Sequence, residues 1–132
     1  MKTLDEVRKI FENDRFATEN GAVIDEIGER SATFSLVITN SHRNAMGAIM
    51  GGVYFMLADF AFAVAANYDT LDMVSISGDI KFLSSTNGNV LYAEARCIKK
   101  GRRNSFFDID VIDNNGKLVA KVSILGAKIL NV

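Results

Sequence analysis

The stretch from Gly47 to Asn67, GAIMGGVYFMLADFAFAVAAN, decides how the rest of the chain is read. Glycines open it, and a long Ala-rich apolar run follows, broken by one charge, Asp59. The apolar residues fall nearly all round a helical period instead of on one stripe. That pattern predicts a helix buried on most sides. An ionised carboxylate in such surroundings costs several kcal/mol unless it is paired, hydrated or put to use. Asp59 therefore asks for an explanation.

Working outward, both flanks read as strands. Upstream, Thr3-Leu-Asp-Glu6 has the spacing of a capping box, and Leu4, Val7, Ile10 and Phe11 share one face, so an amphipathic helix is expected over residues 3 to about 13. Asn20-Gly21 marks a turn before a strand at Ala22 to Ile27. Ala32, Phe34, Leu36 and Ile38 then alternate with Thr33, Ser35, Val37 and Thr39, the period of a half-buried strand. A polar loop, Asn40 to Asn44, leads into the central run. Downstream, strands are expected at about 74–83, 90–99, 103–113 and 117–129. They are separated by the Ser84–Asn89 loop, a Lys100-Gly101 turn and a strong Asn114-Asn115-Gly116 hairpin turn. The expected fold class is α+β: one domain over residues 1–132, with an antiparallel sheet of five or six strands around one long helix.

Composition sets limits on partners. A chain of 132 residues suits one domain with a real core. The net charge of −1 gives no field that would draw in nucleic acid. One cysteine, Cys97, excludes an intrachain disulfide, and a single histidine, His42, excludes a His-rich metal centre; no metal is expected. The N-terminus is charged and lacks the apolar core of a signal peptide. Ala45 to Ala66 is about long enough to span a bilayer, but Asp59 would sit near its centre without flanking Lys or Arg anchors. No membrane partner is expected, and the expected location is cytoplasmic.

Two features of the run carry chemistry. Asp59 reads either as a carboxylate with a structural partner or as a general base or nucleophile in a dry cleft. Gly51-Gly52 at the helix start either eases a tight turn or lets a substrate approach bare N–H groups at the positive end of the helix dipole. The second arrangement can stabilise an oxyanion. Asp59 lies eight residues beyond Gly51, or ~12 Å along a helix axis. One chain can hardly bring both to the same carbonyl, so a site built by two chains is expected.

The stretch NAMGAIMGGVYFMLADFAFAVAAN resembles the signature of hot-dog acyl-CoA thioesterases of the phenylacetate-degradation (PaaI) type. It matches at His42, Asn44, Gly47, Gly51, Gly52, Leu57, Ala58, Asp59 and Ala61. Further similarity runs through Phe11-Glu-Asn-Asp14, Ile80-Lys-Phe-Leu83, Gly101-Arg-Arg103, Asp108-Ile-Asp-Val111 and Asn115 to Ala120. The resemblance implies the hot-dog fold, a homodimer as the minimal unit and often a homotetramer. It also implies hydrolysis of an acyl-CoA thioester with no cofactor, coenzyme A being part of the substrate. It assigns Asp59 as base or nucleophile, the Gly51 N–H as oxyanion donor, Asn44 as an orienting group and Ser75 as an assisting hydroxyl. Strict alternation, however, places Ser75 on the face opposite Ile76, Ile80 and Phe82.

The family's histidine before Gly-Gly is Met50 here, and the loop after Phe82 lacks the usual Arg-Pro. Met50 keeps the backbone but loses a polar contact, which leaves a non-catalytic acyl-CoA- or lipid-binding protein as the alternative. Met50, Gly52 and His42 are expected beside the substrate, although a lone loop histidine is also an ordinary structural residue. Arg102 and Arg103 read either as a solvated turn or as a clamp for the phosphates of coenzyme A. Phe55, Phe60 and Phe62 read as core or interface packing.

Overall fold

The computed structural model describes residues 1–129; positions 130–132 of the expected domain lie outside the described residues. The chain begins with α1 (Leu4–Phe11) and a second short helix, α2 (Arg15–Glu19). Strands β1 (Ala22–Gly28) and β2 (Ser31–Val37) follow, and then the long helix α3 (Gly51–Asn67). Four strands complete it: β3 (Met73–Phe82), β4 (Val90–Lys100), β5 (Asn104–Asp113) and β6 (Leu118–Lys128). The capping box forms as expected: Thr3 accepts from the Glu6 N–H while the Glu6 side chain accepts from the Thr3 N–H. Gly21 and Gly116 occupy positive φ in the turns that the Asn-Gly pairs mark.

All six strands join one antiparallel sheet in the order β1-β2-β4-β5-β6-β3, and α3 packs against every one of them. The sheet curls round the helix, which is the hot-dog arrangement. Leu57, Ala58, Ala61, Val64 and Ala65 on the helix are fully buried. The alanines let the helix approach the strands closely, while Phe34 and Phe107 from the sheet meet Phe60 and Phe62 edge to face.

Two features were not read from the sequence. The first is α2, too short to show a period, which folds over α3 and buries Ala17. The second is the character of β3. It is an edge strand, paired only with β6, and Val74, Ile76 and Phe82 along it are exposed. A bulge at Ile76 also interrupts its register, since Ser75 pairs with Gly126 but Ser77 pairs with Leu125.

Candidate active site

Asn67 fixes the far end of α3. Its Nδ2 donates to the carbonyls of Ala63 and Met73, each at 3.0 Å, and its Oδ1 accepts from the N–H groups of Asp72 (3.0 Å) and Met73 (2.9 Å). One side chain thus ends the helix and anchors the start of β3. The bulge then changes the phase of the strand. Gly78 faces Phe55 of the helix, and Ile80 and Phe82 share its face. Before the bulge, Ser75 lies opposite Gly126, whose open side looks at Phe62. Ser75 and Ile80 therefore look the same way, correcting the strict alternation expected from the sequence.

Asp59 lines two neighbouring hollows, which also share Asp14 and Ala63. The larger, of about 570 Å³, is lined by Asn13 to Ala17 from the α1–α2 corner and by Gly52, Phe55, Met56, Phe60 and Ala63 from α3. The second, of about 360 Å³, runs past Phe62, Leu71 and Met73 to Ser75. Asp59 is half-buried, and none of the ion pairs among the described residues includes it. Burial pushes its carboxyl above the ordinary value, and the neighbouring charge of Asp14 pushes it the same way. An unpaired carboxylate of raised basicity, facing a largely apolar cleft, is equipped to take a proton.

The helix start supplies the complementary group. Met50 caps α3 without a side-chain hydrogen bond, and the N–H groups of Gly51 and Gly52 open the first turn, where no intrahelical acceptor exists. Gly52 lines the Asp59 cleft, whereas Gly51 lines a separate hollow of about 410 Å³ with Tyr54 and Phe82 to Thr86. A β-carbon on Gly51 would stand 3.0 Å from the Phe82 ring, so glycine fits this close approach.

The loop before the helix is built by its own polar residues. Asn44 Oδ1 accepts from the N–H groups of Met46 (3.0 Å) and Ala48 (3.1 Å), and its backbone pairs with Ala48. His42 is buried. Its Nδ1 accepts from the Thr39 N–H (2.9 Å), and its Nε2 donates to the Asn20 carbonyl (2.6 Å). With both nitrogens engaged, His42 holds the loop in place, and its carbonyl accepts from the Met50 N–H. Met50 is exposed and lines a small hollow beside Phe16, Met56 and His42. Its terminal methyl lies across Gly52.

One chain thus gathers Asp59, Gly52 and Ser75. It leaves Gly51 in a different hollow and Asn44 in its own turn. Arg102 and Arg103 sit exposed in the β4–β5 hairpin. That hairpin closes against Lys128, whose strand-mate is Met73, so it lies at the C-terminal end of α3, away from Gly51. Reading the sequence missed Asp14, Arg15 and Phe16 in the cleft wall, although an Asn-Asp pair before RFATE is a helix-start signal.

Comparison with known proteins fits this geometry. Residues 46–120, which hold α3, the whole of β3, β4 and β5 and the first residues of β6, match the thioesterase superfamily. The chain belongs to that superfamily. As a thioesterase it is 32% identical over 112 residues to the acyl-coenzyme A thioesterase PaaI of Escherichia coli, covering 84% of this chain and 80% of that one. It is 30% identical over 112 residues to a putative esterase of Archaeoglobus fulgidus, covering 84% of this chain and 73% of the other. The structure of the E. coli PaaI protein superposes with a TM-score of 0.87 at 27% identity, over 97% of this chain and 94% of that one. This thioesterase is a hot-dog protein of the PaaI type. Among the described residues no helix is long and apolar enough to cross a membrane.

Proposed function

We propose that this thioesterase hydrolyses acyl-CoA thioesters at a site built by two chains. The observation that carries the proposal is Asp59: half-buried, unpaired and raised in basicity at the junction of two largely apolar hollows. The acyl group occupies those hollows. Asp59 takes a proton from water as the water oxygen attacks the thioester carbon. The Gly51 N–H of the other chain holds the oxyanion. Collapse breaks the C–S bond, and the CoA thiolate leaves and is protonated. In the nucleophilic variant the Asp59 carboxylate attacks first, and water hydrolyses the resulting anhydride. Asn44 orients the carbonyl or the water through its loop, and the Ser75 hydroxyl assists from the wall of the second hollow. The reaction needs no cofactor beyond the coenzyme A of the substrate.

The separation of Gly51 from Asp59 within one chain supports the two-chain arrangement. So does the edge strand β3, whose exposed Val74, Ile76 and Phe82 and unpaired backbone call for a second copy. Continuing the sheet across that edge gives a homodimer, and two dimers give a homotetramer.

The test is complementation. Gly51→Pro removes the donor at the first helical position, where proline is favoured, and the exposed Phe82 ring must shift to admit it. Met50, with φ −62° and ψ 135°, already has the conformation a following proline requires. Asp59→Asn removes the base. Each variant alone is expected to lose about 100-fold or more of its acyl-CoA turnover. Co-refolded in equal amounts, half the dimers are mixed and each holds one intact site, so about a quarter of wild-type activity returns. A mixture as inactive as its parents sinks the shared site, and full activity of Asp59→Asn sinks the mechanism. Met50 favours one other reading, a protein that binds acyl-CoA without turnover. Saturable binding by a wild-type chain that hydrolyses no member of an acyl-CoA panel is the result that selects it.

A further inference from the structure

Asp14 is the group of the Asp59 cleft for which the proposed mechanism has no use. It precedes α2 in the N-cap position, yet its side chain makes no capping hydrogen bond. That side chain takes part in none of the ion pairs or hydrogen bonds among the described residues. Its backbone, by contrast, is held on both sides. The Asp14 N–H donates to the Phe11 carbonyl at 3.0 Å, and the Asp14 carbonyl accepts from the Thr18 N–H at 3.1 Å and the Thr18 hydroxyl at 3.2 Å. Phe11 is itself buried against Phe60, one residue along from Asp59. The corner between the two helices therefore carries Asp14 at a fixed place, and that place borders both hollows that Asp59 borders.

We infer that Asp14 is a positioning residue of this thioesterase, which acts on hydrolysis through the negative charge it sets across the cleft from Asp59. The inference rests on the reading of Asp59 as base or nucleophile. Two carboxylates bordering the same hollows disfavour double ionisation, so the one that ionises second holds its proton to higher pH than it would alone. After burial, the charge of Asp14 is the next cause that raises Asp59, and burial raises Asp14 itself. The other charged group facing the hollows is Arg15, in the wall of the larger one. β3 brings only Met73, Val74 and Ser75, and α3 brings no charge besides Asp59. Arg15 carries the opposite charge, yet both causes that act on Asp59, burial first and the charge of Asp14 second, point upward. The benefit is basicity: a carboxylate that binds a proton more tightly is the better proton acceptor at neutral pH.

The experiment titrates Asp59 directly and in turnover. Wild-type, Asp14→Asn and Asp14→Glu proteins carrying carboxyl-13C aspartate are followed by NMR, the Asp59 signal being assigned by its absence in Asp59→Asn. Rates are measured from pH 4 to 9 with phenylacetyl-CoA and hexanoyl-CoA. Asparagine is an equally good N-cap and removes a carboxylate that burial raises, so Asp14→Asn is expected to fold with a Tm at pH 7 no lower than wild type. In Asp14→Asn the Asp59 midpoint moves to lower pH, the acid limb of kcat/KM moves with it, and the plateau kcat falls several-fold. Asp14→Glu restores both positions. An Asp59 midpoint that stays in place in Asp14→Asn overturns the inference, and so does a uniform loss of rate with an unmoved acid limb. Full turnover by Asp59→Asn instead overturns the reading on which the inference rests, whatever the titration of Asp14→Asn shows.

Discussion

Asp59 is half-buried without a cation, so its carboxyl sits above the ordinary carboxylate value in the folded chain. A group raised in this way destabilises the fold at pH values where it is ionised. The cost disappears as the pH falls through the raised value and the folded state takes up the proton. Asp59→Asn is therefore expected to raise Tm at pH 7 while abolishing turnover, and the gain in Tm shrinks on acidification. Thermal melts at pH 7 and pH 4.5 check both signs; a variant less stable than wild type at pH 7 contradicts the account. Met50 is the other residue to test alone. Its apolar side chain lies across Gly52, at the position where the family's histidine supplies a polar contact. If Asp59, Gly51 and Gly52 are otherwise complete, Met50→His is expected to raise kcat about tenfold, the value of one additional hydrogen bond in the transition state. Steady-state kinetics on one acyl-CoA decide it.

At the scale of elements, the site depends on how α3 is joined to β3. Asn67 makes four hydrogen bonds there, two to the helix end and strand carbonyls and two from backbone N–H groups. Asn67→Ala leaves those groups inside a crowded corner and is expected to cost about 2–4 kcal/mol of stability. Urea unfolding with an unchanged m-value measures it. The same variant is expected to lower turnover, because the start of β3 carries Ser75 into the Asp59 hollow. The bulge at Ile76 belongs to this scale as well. It lets one strand present Ser75, Gly78, Ile80 and Phe82 to the helix without a period of two throughout.

For the whole molecule, the decisive feature is an uncovered edge. Five strands carry much of their apolar surface inward, while β3 holds Ile76 and Phe82 each 58% exposed at the rim of the sheet. A long edge of this kind invites strand pairing. The double variant Val74→Lys, Ile76→Lys places like charges on that edge. It is expected to yield folded monomers by sedimentation and circular dichroism, with acyl-CoA turnover lost alongside assembly. A double variant that stays dimeric shows that another face carries the assembly, and monomers that retain turnover contradict a site made by two chains.

Much was legible in the residues alone. Hydrophobic period separated one wholly apolar helix from strands of alternating character, Asn-Gly pairs marked the turns, and a lone charge in an apolar run singled out Asp59. Each of these is a local property written in neighbouring residues. Three things required the folded chain. Strict alternation turns Ser75 away from the site because it assumes an uninterrupted strand, and a bulge is set by pairing with β6, not by β3 itself. Asp14 and Phe16 lie beyond the helix expected to about residue 13, and α2 is too short for its period to register, its position depending on packing against α3. The strand order placed β3, fifth in the expected sequence of elements, at the rim, and so exposed residues that would be core in any inner strand. Local sequence determined which elements form and which residue carries the charge. Contacts between distant segments decided what faces that charge, because no run of neighbouring residues encodes its surroundings.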